Sequence, residues 1–407
     1  MQTSIANDMM SATEVEKLPP PIETQSGSFV YYSKISANGS RLYSRRLAKE
    51  ANSEQVLIDS GMLAAQHNCE IKNVLVSDNH RYIGCMVTNN DGPHTETCDL
   101  MIYLVEDTGS AKHVETLKDV FNFVFGTDDK LLYTVLNDKL RAHQICCHQI
   151  GTPQQTDTDI FTENDDECFV DITRTKDAKF IIINSSTLDS SEVRVLAIND
   201  IIPKKAGKLN TKLLRSRQRG VEYFIDHYGE EFVILTNSPL DDSLSDLKDQ
   251  TLPFRLMKAP SKCPESNNWR ELLSVASDEK IEDVEIFRDY IMITVKRQGH
   301  PAVIVHDRVA NTNAELQLPN KGNCVVRPGS NPQFNTSIAR LSFSSPVHMD
   351  SVIEYDLKTL KARKQWASVP LHINPDEYIV HREYVANSNI SIPMTFIHHK
   401  SVELGHG

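Results

Sequence analysis

The chain has 407 residues, 40% of them hydrophobic and 24% charged, which is ample material for a core, and its formal net charge is −12. That acidic balance excludes the basic face on which nucleic-acid binders depend to neutralise phosphates. No apolar run approaches the roughly 20 residues needed to span a bilayer. Length alone suggests two or three domains, but an internal repeat argues for one continuous architecture.

In chain order, residues 1–25 are polar, with Leu18-Pro19-Pro20-Pro21, and are expected to form a flexible or extended leader. They hold no basic segment followed by an apolar one, so no signal peptide is expected and the chain is assigned to the cytoplasm. From residue 26 onward one apolar strand recurs at intervals of about fifty residues. Its seven copies are FVYYSK from Phe29, YIGCMV from Tyr82, LLYTVL from Leu131, FIIINS from Phe180, FVILTN from Phe232, YIMITV from Tyr290 and LSFSSP from Leu341.

The unit is plainest at residues 179–202. Phe180 opens an apolar β-branched run, residues 185–191 are a small polar turn cluster, and residues 192–197 alternate polar and apolar as a half-buried strand does. A hairpin of that size is marginal alone in water, so it must belong to a larger sheet assembly. Before most copies stands a further short apolar run with a polar turn, such as FVFGTDD or DITRTKD, and after each come two more strands, such as HQICCHQ then TDIF. Four strands per repeat of about fifty residues is the pattern of a propeller blade. The fold expected is therefore all-β, a seven-bladed β-propeller over residues 26–375, with apolar residues on both faces of the strands. The innermost strand of the first blade has no clear signal. Residues 237–252 read as a surface insertion in the fifth blade.

Candidate sites are few. Eight cysteines occur (Cys69, Cys85, Cys98, Cys146, Cys147, Cys168, Cys263, Cys324), several within strands, and without an export signal they are expected to be reduced. The best metal candidate is HQICCH at residues 143–148, where Cys146 and His148 share a strand face. Tetrahedral zinc needs three or four ligands and no second pair follows, so no metal is assigned. Residues 157–167 have carboxylate spacing near that of a calcium loop, but Thr162 stands where the sharp turn needs glycine. The sequons at Asn38, Asn184, Asn335 and Asn389 carry little weight in a cytoplasmic chain. Residues 201–220 hold seven basic residues and no acid, which fits either a solvated connection between blades or a patch for an acidic partner or membrane surface.

Catalytic motifs are missing. No G-x-S-x-G elbow, Walker loop or G-x-G-x-x-G stretch occurs. Any of the fifteen histidines can be paired on paper with some serine and aspartate, and a satisfied structural histidine is the simpler reading of each. No catalytic, cofactor-binding or metal-ligating residue is assigned.

The segments KLRAHQICCHQIG (from Lys139), DSSEVRVL (from Asp189), VEYFIDHYGEEFVILTN (from Val221), FRLMKAP (from Phe254), NWRELL (from Asn268), VIEYDLKT (from Val352) and IPMTFIHHK (from Ile392) resemble, in order and spacing, the prolyl oligopeptidase family. The oligopeptidase B and prolyl endopeptidase-like branch is the one they look most like. The resemblance implies a propeller that gates access of short peptides to an α/β-hydrolase serine peptidase domain. It also implies that residues 376–407 correspond to the first hairpin of that domain, with strands from Tyr378 and Ile390 turned by Asn387-Ser388-Asn389. The family's nucleophile, acid and histidine would lie beyond Gly407, so the chain alone is expected to be inactive. The alternative is a non-catalytic propeller serving as an interaction scaffold. Expected partners are short peptides, through a hydrolase domain, and a protein partner or a second copy at the hairpin.

Overall fold

The computed structural model describes residues 15–17, 22–89, 97–106, 108–201, 211–238, 253–276, 279–319, 324–367, 369–370, 374–387 and 390–403. Most of the leader, most of the fifth-blade insertion, residues 202–210 of the basic stretch, and Ser388 and Asn389 of the hairpin turn lie outside the described residues.

Phe180–Ser186 shows how the sequence builds the fold. It pairs antiparallel with Phe169–Arg174 on one side and Ser191–Ala197 on the other. Successive side chains point to opposite faces, so Ile181 and Ile183 enter one core with Val124, Leu132 and Ile145, while Ile182 enters another with Tyr223, Phe232 and Met257. Each of these isoleucines is nearly inaccessible, and burying such a side chain contributes roughly 1.5–3 kcal/mol. The strand is apolar on both faces because each face packs against a different neighbouring sheet. All seven strands read from the repeat form, each hydrogen-bonded to an antiparallel neighbour on both sides. The architecture is an all-β propeller.

The chain divides into two compact units. The unit of residues 23–274 starts with a sheet of Thr24–Ser26, Phe29–Ile35, Arg41–Leu47 and Gln55–Asp59. The first strand, which the sequence does not reveal, is thus Thr24–Ser26, three polar residues at one edge of its sheet. A short helix, Ser60–His67, follows; Asp59 caps its start by accepting from the Gly61 and Met62 amides, and Asn68 ends it in the left-handed region. This unit also contains the four-stranded sheets running from Phe169–Arg174 to Lys212–Arg215 and from Tyr223–Tyr228 to Arg270–Leu273.

Between the first and these later sheets lies a departure from expectation. The strands assigned to the second and third blades form one seven-stranded sheet, from Cys69–Val76 to Thr158–Thr162, so the described residues form five separate four-stranded blades rather than seven. The cause is local. Ala111–Thr127 is one continuous strand whose first part pairs with Cys98–Val105 and whose last part pairs with Lys130–Leu136; Val120 is partnered on both sides, by Cys98 and by Val135. Six residues, 163–168, join this sheet to the next, but between Leu117 and Val120 there are only Lys118 and Asp119. The backbone turns instead at Asp119, φ +56°, a conformation aspartate tolerates. The Gln154 side chain accepts from Lys118 N at 2.9 Å and donates to Lys118 O at 3.0 Å, satisfying the peptide groups that leave the ladder there.

The second unit carries two four-stranded sheets, Glu279–Ile286 to Thr312–Glu315 and Val325–Pro328 to Lys361–Ala367, over a shared core that includes Phe287, Met292, Val303, Leu341 and Tyr355. Val15–Lys17, placed by sequence in the leader, pairs antiparallel with Val369–Pro370. Tyr378–Asn387 and Ile390–His399 form a two-stranded sheet of their own in an unbroken ten-pair register. No α/β-hydrolase domain is present among the described residues, so the expectation that one begins here finds only this hairpin.

Candidate functional site

Among the described residues an alignment of aspartate, histidine and serine side chains with relay geometry joins the sheets built on the fourth and fifth copies of the repeated strand. Asp177 lies in the turn before Phe180–Ser186, His227 in Tyr223–Tyr228, and Ser261 just after Arg255–Pro260. His227 Nδ1 is 2.7 Å from Asp177 Oδ2, and its Nε2 is 2.7 Å from Ser261 Oγ. With Nδ1–H donating to the carboxylate, Nε2 is left to accept from the serine hydroxyl. The imidazole is buried between Phe180 and Phe232, ring centroids 4.6 and 4.8 Å away. Burial alone would raise the Asp177 carboxyl, but the bond and charge of His227 outweigh it and hold Asp177 below the ordinary aspartate value. Burial pushes neighbouring Asp226 up to about 6, although the Lys176 and His227 amides donate to it.

These distances match a hydrolytic relay, yet acyl transfer also needs donors for the developing oxyanion. Two of the nearby amides are committed: Ser261 N donates to Glu230 O at 2.8 Å, and Cys263 N to Pro260 O at 3.1 Å. The arrangement therefore ties blades together. Its signal in the sequence is the spacing, because Asp177 and His227 stand one repeat apart, as do Lys176 and Asp226, and Lys179 and Gly229, which are also bonded across this seam.

The metal candidate resolves differently. His148 is fully buried, with Nδ1 2.8 Å from Asp157 Oδ1 and Nε2 3.2 Å from Glu115 Oε1. Burial disfavours its charge, but the two carboxylates outweigh burial and raise His148 above the usual histidine value. Asp157 also accepts from Tyr133 Oη at 2.8 Å. Cys146 faces Asp159 instead, Sγ to Oδ1 3.6 Å, and burial pushes its thiol up to about 12, out of the range of a ready metal ligand. Among the described residues no three His, Cys, Asp or Glu side chains are placed to hold a metal ion. The carboxylates of residues 157–167 likewise diverge, Asp157 toward His148, Glu163 toward Arg217 and Asp166 toward Lys139.

The described part of the basic stretch is matched by acids or polar partners. Arg217 Nη2 lies 2.9 Å from Glu163 Oε2, Lys212 Nζ 3.1 Å from Glu265 and Arg219 Nε 3.7 Å from Asp189, while Arg215 donates to Gln218. A cavity of about 610 Å³ lies beside these arginines, lined also by Leu213, Glu265 and Ser266. Such pairing fits a connection between blades.

The hairpin is the contrasting surface. Arg382 and the Tyr384 hydroxyl donate to the backbone carbonyls of Gly299 and Gln298 in the turn at the end of Tyr290–Arg297. Both lie on one face of the sheet. On the other face the cross-strand register places Ile379 by His398, His381 by Phe396, Glu383 by Met394 and Val385 by Ile392. Its five large apolar residues are each 39–46% exposed.

Blades of this kind, packed through apolar cores between sheets, define a β-propeller. The chain belongs to the prolyl oligopeptidase N-terminal β-propeller family, whose model matches residues 1–367. It is 27% identical to the prolyl endopeptidase-like protein of Gallus gallus over 75% of this chain and 38% of that protein. It is 24% identical to dipeptidyl aminopeptidase BI of Pseudoxanthomonas mexicana over 69% of this chain and 37% of that one. The structure of oligopeptidase B from Leishmania major superposes with a TM-score of 0.81 at 18% identity, over 99% of this chain and 56% of that one. The chain thus spans less than two thirds of the length of these relatives. Among the described residues no helix is long and apolar enough to cross a membrane.

Proposed function

We propose that this chain is the substrate-gating propeller of a serine-type oligopeptidase system in the cytoplasm, and that it has no hydrolytic activity by itself. The family match over residues 1–367 is the observation that carries this reading, and the names of the relatives, an oligopeptidase and an aminopeptidase among them, supply the chemistry. Inactivity rests on Ser261, whose histidine and aspartate are in place but whose own amide is spent on Glu230 O and that of Cys263 on Pro260 O.

Two measurements test it. Purified chain treated with a fluorophosphonate probe should label at background; stoichiometric labelling at Ser261 overturns the inactivity. Mixed with the hydrolase portion of an oligopeptidase B, the chain should restrict cleavage to short peptides, and undiminished cleavage of unfolded protein would remove the gating role. A second reading, a non-catalytic scaffold for a protein partner, draws on the open apolar face of the hairpin.

A further inference from the structure

We infer that the ion pair of Arg174 with Asp78 is a strap across the inner rim of the unit of residues 23–274, holding the second and fourth copies of the repeat together over the third. Asp78 lies in the turn that leaves the innermost strand Cys69–Val76, and Arg174 is the last residue of the innermost strand Phe169–Arg174, so each stands at the exit of its own first strand. Hydrogen bonds between successive sheets of this unit join residues about one repeat apart: Tyr31 with His80 and Asn122 with Asp171 at 49 positions, Asp177 with His227 and Lys179 with Gly229 at 50. Arg174 and Asp78 are 96 positions apart, about two repeats. Their bond therefore passes over the third copy, at the turn that joins Ala111–Thr127 to Lys130–Leu136. In a propeller the first strands face the central channel, and on that inner side side chains from alternate blades come within reach of one another.

The pair is arranged both to hold and to release. Arg174 Nη1 donates to Asp78 Oδ1 at 2.9 Å and Nη2 donates to Oδ2, the bidentate form in which an arginine–carboxylate pair is strongest and most directional. The guanidinium is largely buried, and its Nε meets no acceptor among the described residues, so Asp78 is what satisfies it. Asp78 itself is 62% exposed, so water and salt reach the pair from that side and separation is cheap. The turn that carries it is closed by its own bonds, Ser77 Oγ donating to Asn79 and accepting from Tyr82 N, and these survive when the turn swings away. Asp129, in the turn between, is engaged by Thr127 and Gln149 and does not compete for Arg174. The strap concerns motion within this unit and stands whether or not the chain gates a peptidase.

Hydrogen exchange of the full chain, read by mass spectrometry, tests it. Asp78→Ala should speed exchange about threefold over residues 77–82, 127–130 and 175–180, the size expected of an ion pair with one solvated partner, and leave residues 231–236 unchanged. Asp78→Arg, which sets like charges together, should speed it further. Asp78→Arg combined with Arg174→Asp faces opposite charges again and should return exchange to the wild-type rate. Sodium chloride at about 0.5 M should speed the wild type in the same three segments and have no such effect on Asp78→Ala. Exchange that is unchanged in Asp78→Ala, or that rises equally over residues 231–236, overturns the strap, as does a folded charge swap that fails to restore protection. Where circular dichroism shows the swapped chain unfolded, the salt comparison decides, and equal salt sensitivity in the wild type and Asp78→Ala overturns the strap.

Discussion

Two histidine–phenylalanine contacts separate the two kinds of surface in this molecule. His227 is buried at the seam of the fourth and fifth blades between Phe180 and Phe232, its ring nitrogens taken by Asp177 and Ser261. His381 stacks on Phe396 at a similar centroid distance, but on a hairpin face open to solvent. The residue types and ring contacts are alike; what differs is whether water has been removed. At the seam the aromatic rings are part of a core and every polar atom of the imidazole must be satisfied within the protein. On the hairpin the same pair has apolar area still to lose.

The sharpest way to break this comparison is to truncate the two phenylalanines. Phe232 is inaccessible, and Phe232→Ala should cost about 3–5 kcal/mol by lost transfer energy and the cavity left behind. Phe396→Ala removes a half-exposed ring and should cost under about 1 kcal/mol. Urea unfolding of both variants, measured at a concentration where the chain is monomeric, reads the difference; equal costs would show that the seam is loosely packed or the hairpin covered.

A smaller effect is expected from Asp177→Ala. The substitution leaves His227 Nδ1–H buried without its acceptor and removes one of the two acceptors of the Thr175 hydroxyl and of the Lys179 amide, so a loss of about 2 kcal/mol is expected. Ser261→Ala should cost less, because only one neutral bond ends. If Ser261→Ala proved the more damaging of the two, the serine rather than the carboxylate would be the anchor of the seam.

How much of this was readable from residues depends on where their partners lie. The seven middle strands were legible because both faces are buried, and a run such as Phe180-Ile181-Ile182-Ile183 admits few other environments. Thr24–Ser26 was not, since a three-residue polar rim strand is specified by its neighbour Phe29–Ile35 and not by its own side chains. FVFGTDD is legible as a strand, but its continuity with the residues from Ala111 depends on Asp119 accepting a positive φ, which no pattern of hydrophobicity encodes. Cys146 and His148 were correctly placed on one strand face, while their partners, Asp159 and the pair Asp157 and Glu115, come from neighbouring strands and the turns at their ends. The relay at Ser261 joins residues 50 and 34 positions from His227. Such a site is visible only once the repeat has brought the turns of neighbouring blades together.

His148 extends the comparison to pH. Its ring is held above the usual histidine value, with burial opposing and Asp157 and Glu115 prevailing. A group raised on folding contributes stability that is fully present below its unfolded value, near 6.5, and that is lost as pH rises through the folded value. The urea midpoint of the wild type should therefore fall between pH 6 and pH 8 by more than that of His148→Gln, which carries no titrating ring at this position. Parallel pH profiles would mean that folding leaves the proton affinity of the imidazole unchanged.

The smallest effect on the fold is expected from deleting residues 376–407. The cores of both units are built from residues upstream, and Arg382 and Tyr384 tie the hairpin to the Gln298-Gly299 turn. Each such bond is worth about 1 kcal/mol net, and part of that is returned by water reaching the freed carbonyls. The truncated chain should unfold within a few °C of the full one, on the order of the shift that 1 kcal/mol produces in a domain of this size. A large drop in thermal midpoint, or more aggregation than the full chain shows, would instead make the hairpin part of the packing of its unit and move the boundary drawn near Pro375 toward the C-terminus.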